Sequence, residues 1–235
     1  MNELQKSRIL ANRIKSASAH LQEASRPDTP VSFVCDVALL VIDVQKEYCD
    51  PRGSRGNRQT EEISQRIQAI TPEFRAAKVP VYAIHFDWTL KKKKTKEIDF
   101  HHFIPEKDDI LVGKCTDSAF QSGPAKSLFR DHGRKLLLAC GFNTSACVKS
   151  TVMDARREGY DVCLLTDMVG NDSHNPSSPE YAIEEMKKSD VTMTTSDIVL
   201  KEIKVANANA LAPSEALRNT LNRYNAADSN KGFMR

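Results

Sequence analysis

The sequence predicts an α/β fold with a mainly parallel sheet covered on both faces. Short, uninterrupted apolar runs alternate with segments of helical periodicity, and the apolar runs lack the in-out alternation of a sheet with one wet face. The first run, "VALLVIDV" (37–44), reads as a strand buried on both sides. "EEISQRIQAITPEFRAAK" (61–78) places Ile63, Ile67, Ile70, Phe74 and Ala77 at helical spacing, with Pro72 predicting a kink or a restart. "VPVYAIHF" (79–86) and "DILVGK" (109–114) are the second and third strands. "GPAKSLFRDHG" (123–133) is a short helix with Pro124 near its first turn and Gly133 after its end. "RKLLLACG" (134–141), "TSACVKSTVMDARREG" (144–159) and "DVCLLTD" (161–167) continue as strand, helix and strand. "SPEYAIEEMKKS" (178–189), "DVTMTTS" (190–196) and "DIVLKEI" (197–203) add a helix, a short strand and a last helix.

Composition narrows the function classes. A net charge of +3 from 34 basic and 31 acidic residues is too balanced for a nucleic-acid surface, and no apolar run approaches the roughly 18 residues of a membrane span. The expected partner is a small molecule, with neither nucleic acid nor membrane involved. The six cysteines (Cys35, Cys49, Cys115, Cys140, Cys147, Cys163) show no CxxC or zinc-ribbon spacing and read as reduced thiols in a cytoplasmic protein. Residues 1–35 read as an amphipathic arm and linker, the alternative being an organelle-targeting segment. Residues 36–205 form the expected domain, and 206–235 a polar tail. "KKKKTK" (91–96) is read as a solvated loop beside Glu97, Asp99 and Glu106. The first strand leads into "QKEYCDPRGSRGN", not a G-x-G-x-x-G turn, which argues against dinucleotide binding.

Ligands of open parallel sheets bind beyond the carboxyl ends of the strands. Asp43 ends the first strand, Lys114 the third, and Cys147 follows the fourth, so a base, a cation and a nucleophile are expected to converge there. Each residue alone has an ordinary structural reading; the coincidence at three strand ends favours chemistry. A cysteine near a helix N-terminus with an ammonium beside it is expected to have a lowered pKa.

"LLVIDVQKEY", "VGKCTDSAF" and "CGFNTSACVKSTVMDARREGYDVCLLTD" resemble the three signature regions of the isochorismatase-like cysteine hydrolases, over about residues 36–200. The resemblance implies a three-layer α/β/α sandwich with a six-stranded parallel sheet, an Asp43, Lys114, Cys147 triad, and a cis peptide at Phe142–Asn143. By the same resemblance, the backbone N–H groups of Asn143 and Cys147 would form an oxyanion hole. It further implies hydrolysis of a C–N bond in a small amide, carbamoyl or ureido compound through a thioester, without a cofactor, in a homodimer or homotetramer. Gln45, Trp88 and Phe120 are the expected substrate-binding residues, Gln45 having a structural hydrogen bond as its alternative; Tyr48 is placed near the same pocket. Nicotinamidases of this family carry an Asp-x-His metal pattern after the second strand. Here Asp87 is followed by Trp88 and Thr89; His85, His101 and His102 could gather around an ion, but adjacent histidines in a charged loop are read as solvated, so no metal is expected. The rival readings are an isochorismatase-type vinyl-ether hydrolase and a non-catalytic binding protein on the same fold.

Overall fold

The computed structural model describes residues 36–91, 98–121, 124–175, 177–208 and 217. The arm expected over 1–35, nearly all of the lysine run and most of the tail lie outside the described residues. Six strands, β1 (Val37–Ile42), β2 (Val81–Phe86), β3 (Ile110–Lys114), β4 (Leu136–Phe142), β5 (Asp161–Gly170) and β6 (Thr192–Thr194), form one sheet in the order β3-β2-β1-β4-β5-β6. Every pairing is parallel, as the apolar runs require.

β1 shows why both faces are covered. Val37, Leu39 and Val41 enter one core, and Ala38, Leu40 and Ile42 the other. The first core is closed by Ile67 and Phe74 of α1 (Arg58–Ala76) and by Val199 and Ile203 of α5 (Ser196–Ala208). Closing the second are Phe129 of α2 (Ala125–Asp131), Val152 and Ala155 of α3 (Lys149–Arg157), and Met186 of α4 (Pro179–Lys187). No helix among the described residues is long and apolar enough to cross a membrane.

Several boundaries differ from expectation. α1 runs unbroken through Pro72, because Ile67, Thr71 and Phe74 are buried on either side of it and that packing outweighs the one lost backbone hydrogen bond. Its start is set by a capping box between Asn57 and Thr60. β5 continues to Gly170, past the expected 167, where a register shift against β4 lets Val169 and Gly170 pair with Gly141 and Phe142. α5 extends to Ala208 because Ala206 remains buried.

The chain moves outward from β1 to β2 and β3, then returns to place β4 on the other side of β1. The strand order therefore reverses between β1 and β4, the point beyond whose carboxyl ends ligands of such sheets bind. Gly141 makes that edge possible. Its φ is +114°, and a Cβ there would lie 2.0 Å from the Ile42 carbonyl oxygen, a backbone atom that has nowhere to move. Gly141→Ala is expected to destabilise the domain by about 3 kcal/mol or more, lowering the thermal midpoint by roughly 6–12 °C. An unchanged midpoint would refute the close approach of β4 to β1.

Candidate active site

The three strand-end residues meet. Lys114 Nζ lies 2.7 Å from Asp43 Oδ2 and donates a 3.3 Å hydrogen bond to Cys147 Sγ. The side chains of Lys114 and Asp43 are 0% and 1% exposed, and Cys147 is buried. β3 is separated from β1 by β2, so Lys114 must cross the end of that strand to reach Asp43. Its ammonium passes 4.8 Å from the Phe86 ring centroid and also donates to the Thr116 carbonyl at 3.2 Å. Asp43 has a φ of +52°, a conformation aspartate tolerates better than most residues. Asp43 Oδ1 is buried and receives no hydrogen bond from a described residue, so it retains lone pairs for a proton.

Electrostatics correct one expectation. Burial pulls the Lys114 pKa down, but Asp43 and then Cys147 outweigh it and hold the pKa above the ordinary value, so Lys114 stays an ammonium. The Cys147 thiol is raised, not lowered: burial contributes most, the Asp43 charge adds to it, and Lys114 offsets only part. The resting group is a thiol beside a buried ion pair. Cys147 does lie at a helix start, in the π-helical turn (Thr144–Val148) that runs directly into α3, but burial and the Asp43 charge decide the direction of its shift.

That turn departs from α geometry at the useful place. The Asn143 carbonyl accepts from Ala146 and Val148, 3.0 Å each, skipping the Cys147 N–H that an α-helical pattern would have used. The Phe142–Asn143 peptide is cis. Asn143 is clamped by its side chain: Nδ2 donates to Asp172 at 3.2 Å, and Oδ1 accepts from the Asp172 N–H at 2.6 Å. Asn171 accepts from the Ser145 N–H at 3.2 Å, and Arg55 holds Asp172 at 2.6 Å while its guanidinium lies 4.6 Å from the Tyr48 ring centroid. Sequence reasoning missed Asn171 and Asp172, although both follow the β5 terminus and the strand-end argument covers them equally well. Asp117 was missed too; its Oδ1 lies 3.9 Å from Cys147 Sγ at an exposed position.

The expected substrate residues divide. Gln45 spends both ends of its amide on Phe86, Oε1 accepting from the backbone N–H at 2.7 Å and Nε2 donating to the carbonyl at 3.2 Å. It ties the end of β1 to the end of β2, which favours its structural alternative. Phe120 packs against Phe129 and Tyr160, with centroids 5.4 and 5.9 Å away, and belongs to the core on the α2–α4 face. Trp88 stacks on Phe86 at 4.6 Å and donates to Glu47 at 3.3 Å, so of the three it stays in the ring system beneath Lys114.

An isochorismatase domain family matches residues 37–198. The chain belongs to the isochorismatase family. Isochorismatase family protein 2B of Dictyostelium discoideum is 36% identical over 180 residues, covering 73% of this chain and 78% of that one. The ureidoacrylate amidohydrolase RutB of Azorhizobium caulinodans is 24% identical over 199 residues, covering 67% and 84%. A cysteine hydrolase structure from Pseudomonas syringae pv. phaseolicola superposes with a TM-score of 0.64 at 22% identity, covering 77% and 99%. The protein is thus a hydrolase of the isochorismatase family, and its fold is that family's α/β sandwich.

The Asp-x-His metal pattern of the family's nicotinamidases does not fit here. Thr89 stands in the histidine's place, and its N–H and hydroxyl both donate to Asp87 Oδ1, at 2.8 and 2.6 Å. His85 is buried and held neutral, chiefly by desolvation, with neither ring nitrogen hydrogen-bonded among the described residues. It stands apart from the pair His101 and His102. His101 is buried as well, and both His101 and His102 turn onto Glu61.

The charge arrangement yields a test. Because Asp43 raises the thiol and Lys114 lowers it, Asp43→Asn is expected to lower the Cys147 pKa while removing the carboxylate paired with Lys114. In the wild type, iodoacetamide alkylation of Cys147 should be slow near pH 7 and rise only above about 8.5, the ordinary thiol value. In Asp43→Asn it should be faster at neutral pH. Equal profiles in the two proteins would contradict the assigned electrostatics.

Proposed function

We propose that this protein is a cysteine amidohydrolase, cleaving the C–N bond of a small amide, carbamoyl or ureido compound through a thioester on Cys147. The observation that carries the reading is the buried contact of Lys114 with both Asp43 and Cys147, at 2.7 and 3.3 Å. Similarity to a ureidoacrylate amidohydrolase supports the substrate class.

In this reading, Asp43 takes the Cys147 proton as Sγ attacks the carbonyl carbon. A C–S bond forms, and the carbonyl π electrons move onto oxygen, where the Asn143 and Cys147 N–H groups receive them. Collapse breaks the C–N bond as Asp43 returns the proton to the departing amine. Water, deprotonated by Asp43, then attacks the thioester; the C–S bond breaks and the thiol regains its proton. Lys114 remains an ammonium throughout and holds carboxylate and sulfur in place.

Ammonia release from a panel of small amides, carbamoyl and ureido compounds tests this. Cys147→Ala and Asp43→Asn are each expected to lose at least about 10³-fold in kcat/KM, and rapid quenching of wild-type turnover should leave an acyl adduct on the Cys147 peptide by mass spectrometry. Ammonia release retained in Cys147→Ala would overturn the thioester route. Silence of the wild type across the panel would favour vinyl-ether hydrolysis or a binding role.

A further inference from the structure

Glu61, His101 and His102 come from two distant segments and present one ligand atom each, all within 4.8 Å of one another. Glu61 lies in the first turn of α1, and the histidines lie in the segment leading to β3. His101 Nε2 contacts Glu61 Oε2, and His102 Nε2 lies 2.8 Å from Glu61 Oε1. The two rings are edge-on with centroids 4.4 Å apart. Adjacent residues do not ordinarily aim their side chains at one point. His102 does so because its φ is +55°, which folds its ring back beside that of His101.

The surroundings hold this geometry from both sides. His101 N–H donates to the Val44 carbonyl at 3.0 Å, Phe103 is fully buried, and the Ile104 N–H donates to Gln68 of α1 at 3.2 Å. Gln65, one turn along α1, donates to Glu61 Oε1 at 3.2 Å and fixes the carboxylate. His101 is buried, whereas the His102 side chain is 35% exposed, so one side of the cluster opens to solvent.

We propose that Glu61, His101 and His102 form a divalent transition-metal site matched to zinc. Two imidazole nitrogens and a carboxylate oxygen on one point, with a fourth side open to water, are the ligand types and number of a three-ligand zinc site. Each Nε2 now faces a Glu61 oxygen, and the ion takes the position between them that protons occupy in its absence. None of its ligands is the Asp87 to Thr89 stretch where nicotinamidases of this family place their metal. The ion staples the segment before β3 to α1. Phe100 in that segment bridges Gln45, and Gln45 ties β1 to β2, so the staple braces the backbone that follows Asp43.

The test uses the full chain without a polyhistidine tag, stripped with chelator and titrated with zinc by calorimetry, with metal content measured after dialysis. One zinc per chain is expected in the wild type and in Cys147→Ala, which excludes the thiol as ligand. His102→Ala and Glu61→Gln should weaken binding by more than the roughly 10–100-fold that loss of an outer-shell partner costs. Zinc should raise the thermal midpoint of the wild type and not of either variant. Cobalt(II) should give the visible bands of a nitrogen and oxygen ligand set without a thiolate charge-transfer band. Should Glu61→Gln fail to fold, His102→Ala carries the comparison, since its ring is partly exposed. The proposal is overturned by absence of stoichiometric zinc, by unchanged affinity in His102→Ala, or by loss of zinc in Cys147→Ala.

Discussion

The buried ion pair between Lys114 and Asp43 is the constraint around which the rest of the molecule is arranged. Removing an ammonium and a carboxylate from water costs several kcal/mol per ion, and their attraction offsets this only when the geometry is close. Here the two atoms are 2.7 Å apart, and the remaining valences of the ammonium are met by the Thr116 carbonyl, Cys147 sulfur and the Phe86 ring face. Such a pair contributes little net stability. It persists because a sheet packed on both faces supplies the surplus, and breaking it by deleting one partner costs about 3–5 kcal/mol.

Holding the pair demands accuracy at the carboxyl ends of five strands. β1 must stop at Ile42 so that Asp43 can leave with a positive φ, and Gln45 then fastens the outgoing chain to Phe86 like one more rung of the ladder. β4 must approach β1 closely, which Gly141 permits and any Cβ would prevent. The turn after β4 is held by Asn171 and Asp172 beyond β5, and Asp172 in turn by Arg55 from the segment ahead of α1. The strand-end edge is therefore a chain of constraints running β3, β2, β1, β4, β5. Each link is a short polar contact placed where apolar strand packing ends.

These different origins explain what could be read from the residues alone. Strands buried on both faces leave an unmistakable run of apolar residues, and position at a strand end is a topological fact, so Asp43, Lys114 and Cys147 were legible together. Pro72 starts no new helix because local propensity is weaker than the burial of Ile67 and Phe74 around it. For Phe120, nearness in sequence to Lys114 says nothing of direction: its ring packs on Phe129 and Tyr160. His101 and His102 looked solvated in a charged segment, since the residue that gathers them, Glu61, is 40 positions away and belongs to another element. Polar clusters assembled across such distances have no periodicity to betray them.

The sign of the Cys147 shift bears most on how the proposed chemistry is organised. Were the thiolate already formed beside Lys114, the site would hold two anions and one cation among buried groups, and Asp43 would have no neutral partner to relieve. With the thiol neutral, the resting cluster carries one negative and one positive charge. When Asp43 takes the proton and the carbonyl oxygen becomes negative, the count is the same. Charge moves from carboxylate to oxyanion without any net charge being created in low dielectric, and the fixed ammonium and backbone N–H groups serve both arrangements. A raised thiol pKa therefore suits a nucleophile whose proton acceptor is built in, because ionisation is coupled to the attack that uses it.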